Sequence, residues 1–177
     1  MNVRLLFVPL LLLIASEFYL IWERNPCNIR GEVNNYSLGN YTCYQAGKLV
    51  VYYFGLENDS FSAREKIAFV EATSKFGRWK GLGTFDMPDL VTYSLRNASF
   101  EGDIVVKAYD VDVQAISDEE KELLYNYSGA FVPLVIIGCR YYRVGVYPDY
   151  FMFGVNEKAL EREERSIRKY ICELRRH

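Results

Sequence analysis

The chain has 177 residues, half of them hydrophobic and a quarter charged, with a formal net charge of -2. That length and composition suit one packed domain with short appendages and exclude a disordered chain. No basic stripe is present, which argues against nucleic acid as a partner, and the single histidine, His177, argues against a His-based metal centre or a Ser-His-Asp triad.

The first element is apolar. Arg4 precedes "LLFVPLLLLIA", then Ser16 and Glu17, then "FYLIW". Residues 5 to 22 hold one charge, and the stretch is just long enough for a transmembrane helix. Tyr19 and Trp22 fall where amphipathic rings meet a membrane interface. The sequence is therefore expected to begin with a signal anchor or a cleaved signal peptide over residues 1–24. A buried hydrophobic helix is the remaining reading. Arg4 favours a cytoplasmic N-terminus and export of residue 25 onward.

Residues 25–47, "NPCNIRGEVNNYSLGNYTCYQAG", are polar and full of turn residues. They read as a linker, or the edge of a subdomain, stapled by a disulfide. The core is expected from Lys48. "KLVVYYF" is a continuous apolar run, as in a strand buried on both faces. Ser62 and Glu65 have capping-box spacing at the start of a helix whose apolar face is Ile67, Phe69, Val70, Ala72 and Thr73. "FGRWKGLG" reads as the stop of that helix. Strands are expected in "LGTFDM", "LVTYSLRN" and "DIVVKAYDVDV", and a second capping box, Ser117 and Glu120, opens "DEEKELLYNY". "GAFVPLVIIG" and "CRYYRVGVY" read as a hairpin. "NEKALEREERSIRKYICELRR" is a final helix with Leu160, Ile167, Tyr170, Ile171 and Leu174 on its apolar stripe and Glu and Arg on the other face. Strand, helix, strands, helix, hairpin, helix is a mixed-sheet α/β order.

Two features point to export. Five N-x-[ST] sequons occur, at Asn35, Asn40, Asn58, Asn97 and Asn126, where about one is expected by chance, so all five are candidate glycosylation sites. Cysteine is even in number, with Cys27, Cys43, Cys139 and Cys172 in no C-x-x-C pair. Two disulfides in an oxidising compartment are expected. Proximity in sequence suggests Cys27 with Cys43 and Cys139 with Cys172, although four cysteines allow three connectivities.

The element order resembles the thioredoxin fold, with "FVP" (Phe131, Val132, Pro133) at the place of that fold's cis-proline. A closer resemblance is to a family of archaeal thioredoxin-like proteins of unknown function. It carries an "I-G-x-E-W-C-P-Y-C" turn and a helix ending "FG-x-(F/W)-x-G-L". Here stand "FGLENDSFS" and "KFGRWKGLGTF". That family's "F-x-x-A-S-(F/Y)" and "VPF-x-x-I-G-x-(K/R)-Y" resemble "YSLRNASF" and "VPLVIIGCRYYRVG". The likeness covers residues 48 to 175 and implies a thioredoxin-like domain over 48–177.

At the turn Glu57 matches, but Asn58, Asp59, Ser60, Phe61 and Ser62 replace Trp-Cys-Pro-Tyr-Cys. Dithiol exchange needs an attacking thiolate and a resolving thiol, and a carboxylate and a hydroxyl supply neither. Both suit helix capping instead. The resemblance thus implies a degenerate site (Glu57, Asn58, Asp59, Ser60, Phe61, Ser62, Val132 and Pro133) without a catalytic residue, a metal or a cofactor. Phe61 and Val132 would line a groove for a protein or peptide. Two other readings stand beside it. One is a thiol-disulfide oxidoreductase using a cysteine outside a C-x-x-C pair, for which Cys139 falls at the wrong end of its strand. The other is a weak metal site at Glu57 and Asp59.

Overall fold

The structure, a computed structural model, describes residues 25–88, 90–146 and 156–176. Its elements are β1 (Ser37–Leu38), β2 (Tyr44–Gln45), β3 (Lys48–Gly55), α1 (Ser60–Ser74), β4 (Gly77–Lys80), β5 (Gly83–Met87), β6 (Leu90–Ser94), β7 (Ser99–Gly102), β8 (Val105–Asp110), α2 (Asp118–Ser128), β9 (Leu134–Ile137), β10 (Tyr141–Val144) and α3 (Glu157–Leu174). The fold is α/β with a mixed sheet. The expected N-terminal hydrophobic helix lies outside the described residues, and no described helix is long and apolar enough to cross a membrane.

β3 is the centre of the sheet. It pairs with β8 in parallel from Val50 to Gly55, and with β9 antiparallel from Val51 to Phe54. β10 continues antiparallel on β9, and β1 on β10. The order is therefore β8-β3-β9-β10-β1, with β2 beside the first two residues of β3. Side chains alternate between faces along a strand. Val51, Tyr53, Val135 and Ile137 accordingly join Phe69, Ala72, Ile167 and Ile171 of α1 and α3 on one face. Phe54, Leu134 and Ile136 meet Leu124 of α2 on the other. Three layers result, which is why the apolar run of β3 is unbroken.

Between α1 and β8 the chain makes two antiparallel ladders, β4 with β7 and β5 with β6. β4 occupies the stretch expected to be only a helix stop. Gly77 lies opposite Gly102, and a Cβ at Gly77 would stand 2.6 Å from the Gly102 Cα. The ladder closes there because neither residue has a side chain. Trp79 then packs edge-on against Phe69 and Phe100 and donates to Thr73 Oγ1 at 3.1 Å.

Two expectations are corrected. The disulfides are Cys27–Cys172 and Cys43–Cys139, with Cα separations of 5.6 and 5.3 Å, and not the sequence neighbours. Residues 25–36 run along α3, where Arg168 donates to the Pro26 carbonyl at 3.0 and 2.8 Å and Ser166 Oγ accepts from Asn34 N at 2.7 Å. That lays Cys27 on Cys172. Cys43 meets Cys139 because Cys43 N donates to the Gly138 carbonyl at 2.9 Å. The segment 25–47 is thus an edge of the core. The second correction is the cap of α1. Its N-cap is Asp59, which accepts from Ser62 N, so Ser62 and Glu65 make no capping box. The box at Ser117 and Glu120 does form at the start of α2.

Glu65 turns inward instead. It pairs with Arg143 of β10, which also meets Glu163 of α3 at 3.1 Å. Glu163 accepts from the Tyr36 hydroxyl and the Asn34 amide, and all five residues are buried. Two carboxyls thus face one guanidinium. Burial, with Glu163 as a like-charged neighbour, raises the Glu65 pKa to about 8 against the pull of Arg143. In the unfolded chain the ordinary carboxylate value returns. Between about pH 4.5 and pH 8 the native state therefore holds a proton that the unfolded chain has released, and stability falls as pH rises through that window. We expect the unfolding free energy from urea titration to fall between pH 5 and pH 8, by about 1 kcal/mol or more. Glu65→Gln should flatten that slope. Parallel pH curves for the two proteins would show that Glu65 holds no extra proton.

Candidate functional site

The sequence singles out the turn between β3 and α1. Its shape begins at Gly55, where a Cβ would lie 2.1 Å from the Tyr53 hydroxyl. That hydroxyl passes under the turn and donates to the Ser62 carbonyl at 2.7 Å. Burial raises the Tyr53 pKa well above its ordinary value, so it stays a donor. Leu56 N donates to Ser62 Oγ at 3.0 Å, and Ser62 N donates to Asp59 Oδ2 at 2.7 Å. Ser62 is fully buried. Asp59 and Ser62 are therefore engaged in closing the turn and capping α1.

Glu57 is fixed from two sides. Its N–H donates to Asp112 Oδ1 at 2.9 Å, and its carboxylate takes a two-pronged contact from Arg96, Nε at 2.7 Å and Nη2 at 2.5 Å. The Arg96 fork holds the Glu57 carboxyl below the usual carboxylate range, which makes it a poor proton acceptor. Asn58 is exposed, while Ser60 and Phe61 are half-buried. Beneath the turn lies a buried ion pair, Lys66 to Asp110 at 2.6 Å, with both side chains inaccessible. Asp110 stands in register with Gly55, and desolvation raises its pKa despite Lys66.

The register brings the second half of the predicted site alongside. Phe54 lies opposite Leu134, so Pro133 sits at the sheet end where the turn begins. The Val132–Pro133 bond is cis, and the Pro133 carbonyl accepts from Gly145 N at 2.7 Å. Val132 is half-buried, and Phe131 next to it is 72% exposed. The turn and the Val132–Pro133 step thus share one end of the sheet, with an aromatic ring open to solvent beside them.

The cysteines are elsewhere. Cys139 follows Ile137, which pairs with Val51, whereas the turn follows Gly55 at the other end of β3. No cysteine is free. Two disulfides point to an oxidising, extracytoplasmic compartment. The five sequon asparagines, Asn35, Asn40, Asn58, Asn97 and Asn126, are all exposed. Among the described residues no group of three or more His, Cys, Asp or Glu is placed to hold a metal ion.

One feature escapes the sequence. A cleft of about 430 Å³ opens between the β1 edge and α2, with Leu38, Tyr41, Leu123, Tyr127 and Tyr142 among its walls. Tyr127 and Tyr142 meet edge-on at 5.0 Å, and the Tyr127 hydroxyl donates to the Cys139 carbonyl at 2.6 Å. The number of tyrosines was the only hint, because these residues come from three separate segments. No protein family, curated protein or solved structure matches this chain.

Proposed function

We propose that the chain is a non-catalytic, extracytoplasmic thioredoxin-like domain, held to a membrane through residues 5–22, that binds a protein or peptide beside Pro133. One observation carries this reading. Asp59 and Ser62 stand at C-x-x-C spacing at a helix start, yet they make capping contacts, while all four cysteines are paired away from the turn. Several features support the scaffold. The order β8-β3-β9-β10, with β8 parallel and β9 antiparallel to β3, matches the resemblance, as does a cis proline at the turn end. Phe61, Val132 and the exposed Phe131 give that end an apolar surface for a partner. An oxidoreductase acting through Cys139 is disfavoured, since that residue is 1% exposed and its sulfur is bonded to Cys43.

The test has two parts. The wild-type protein should reduce insulin at the uncatalysed rate, and a rate above background would remove the non-catalytic reading. A photo-crosslinker at Phe131 should capture a discrete partner from the native membrane fraction, and one at Val91 on the β5–β6 ladder should not. Equal capture from both positions would remove the docking role of the Pro133 end.

A further inference from the structure

We propose that the end of the domain opposite the turn, formed by the last turns of α3, the end of α1 and the β2–β3 corner, is a docking face for an anionic lipid surface. This rests on the reading that residues 5–22 lie in a membrane. The chain leaves that run at Trp22 and is already part of the folded body at Asn25. Asn28 N donates to the Asn25 carbonyl at 3.0 Å, Arg168 holds the Pro26 carbonyl, and Cys27 is bonded to Cys172. Only Glu23 and Arg24 intervene, so Asn25 lies within about 11 Å of Trp22 even in a fully extended chain. A polar headgroup layer takes up about 5–8 Å of that reach. The body therefore has no room to stand away from the bilayer.

The anchoring point selects which end faces the lipid. Cys172 is in the last turn of α3. Leu174 and Arg175 share a cleft with Tyr44, Lys48 and Asp103, and the Arg175 guanidinium lies 5.6 Å over the Phe76 ring, next to the α1 cap Lys75. These residues form one face, and its chemistry fits a headgroup layer. Lys48, Lys75 and Arg176 are exposed there and Lys169 is partly so. The acidic neighbours are Glu173 and Asp103, and Asp103 is paired with Arg175 at 3.3 Å. Basic side chains near an anionic surface each add attraction. Tyr44, 50% exposed, belongs to the same end, and tyrosine favours the interface. The turn and Pro133 lie at the far end of β3, eight residues away, so about 25 Å further from the bilayer. That points the proposed binding surface outward.

The experiment uses the full chain reconstituted into vesicles of phosphatidylcholine alone or mixed with phosphatidylglycerol, with lysine acylation read by mass spectrometry. In the anionic vesicles Lys48, Lys75 and Lys169 should be acylated about fivefold more slowly than in the neutral ones. Lys121 and Lys158, at the starts of α2 and α3, should be acylated equally in both. Lys48→Glu combined with Arg176→Glu should abolish the difference at Lys75 and Lys169 while the chain stays in the vesicles. A chain that alkaline carbonate strips from the vesicles would overturn the anchor reading and the docking face with it. A chain that stays bound but shows the same acylation of Lys48, Lys75 and Lys169 in both lipids would overturn the docking face alone.

Discussion

Replacing Asp59 and Ser62 together with cysteine should convert this domain into a thiol-disulfide exchanger. The two positions are the N-cap and the third residue of α1, joined by the Asp59 to Ser62 contact of 2.7 Å. Sulfurs at that spacing can reach each other across the first turn. The sulfur introduced at position 59 would meet the free N–H groups of the helix start, which lower a thiol pKa and favour the thiolate. The sulfur introduced at position 62 would be buried behind it, as Ser62 is, and would serve as the resolving thiol. The expected result is a reversible disulfide and insulin reduction at least about tenfold above the wild-type background, a gain of about 1.4 kcal/mol in barrier. Either single substitution should yield mixed disulfides and no turnover. Sulfur accepts hydrogen bonds weakly, so losing the Asp59 and Ser62 acceptors should destabilise the double variant by about 1–2 kcal/mol. Two introduced thiols that fail to pair would show that this turn lacks the proposed geometry.

Removing the Cys43–Cys139 disulfide with paired alanines should cost about 4 kcal/mol in denaturant unfolding, because it closes a loop with a sequence separation of 96. The Cys27–Cys172 bond spans 145 residues and encloses the first. In the chain-entropy account each bond closes a shorter effective loop while the other is in place, so removing both should cost more than the sum of the two single removals. The outer bond also holds residues 25–27 on α3, so its loss should release that segment to proteolysis first. A non-reducing peptide map should recover Cys27 with Cys172 and Cys43 with Cys139. Recovery of Cys27 with Cys43 would reverse the connectivity, and a loss below about 1 kcal/mol for either pair would remove the stabilising role.

The sequence by itself determined the elements whose patterns are strong and local. The unbroken run of β3 marks a strand covered on both faces, and Ser117 with Glu120 places the start of α2 to the residue, because capping is decided within four residues. The stripe of α3 was legible for its buried Ile167, Tyr170, Ile171 and Leu174. The same pattern misplaces Glu163, which lies buried against Arg143, because periodicity records polarity and carries nothing about a partner on another strand. Glu65 fails for the same reason: its spacing from Ser62 fits a capping box, yet an arginine 78 residues away takes it into the core.

β4 and β7 were invisible as a ladder because each has only four residues and neither forms without the other. The disulfide pairing was decided by which segments the sheet and α3 lay together, at separations of 96 and 145 residues, where nearness in sequence has no bearing. The turn shows both sides of this division. That Asp59 and Ser62 offer no thiol for disulfide exchange is read directly from the sequence, since residue type alone sets that chemistry. That these side chains close the turn is seen only in the folded chain, and the place of Pro133 beside it, expected from the resemblance alone, follows from the pairing of Phe54 with Leu134 at a separation of 80 residues.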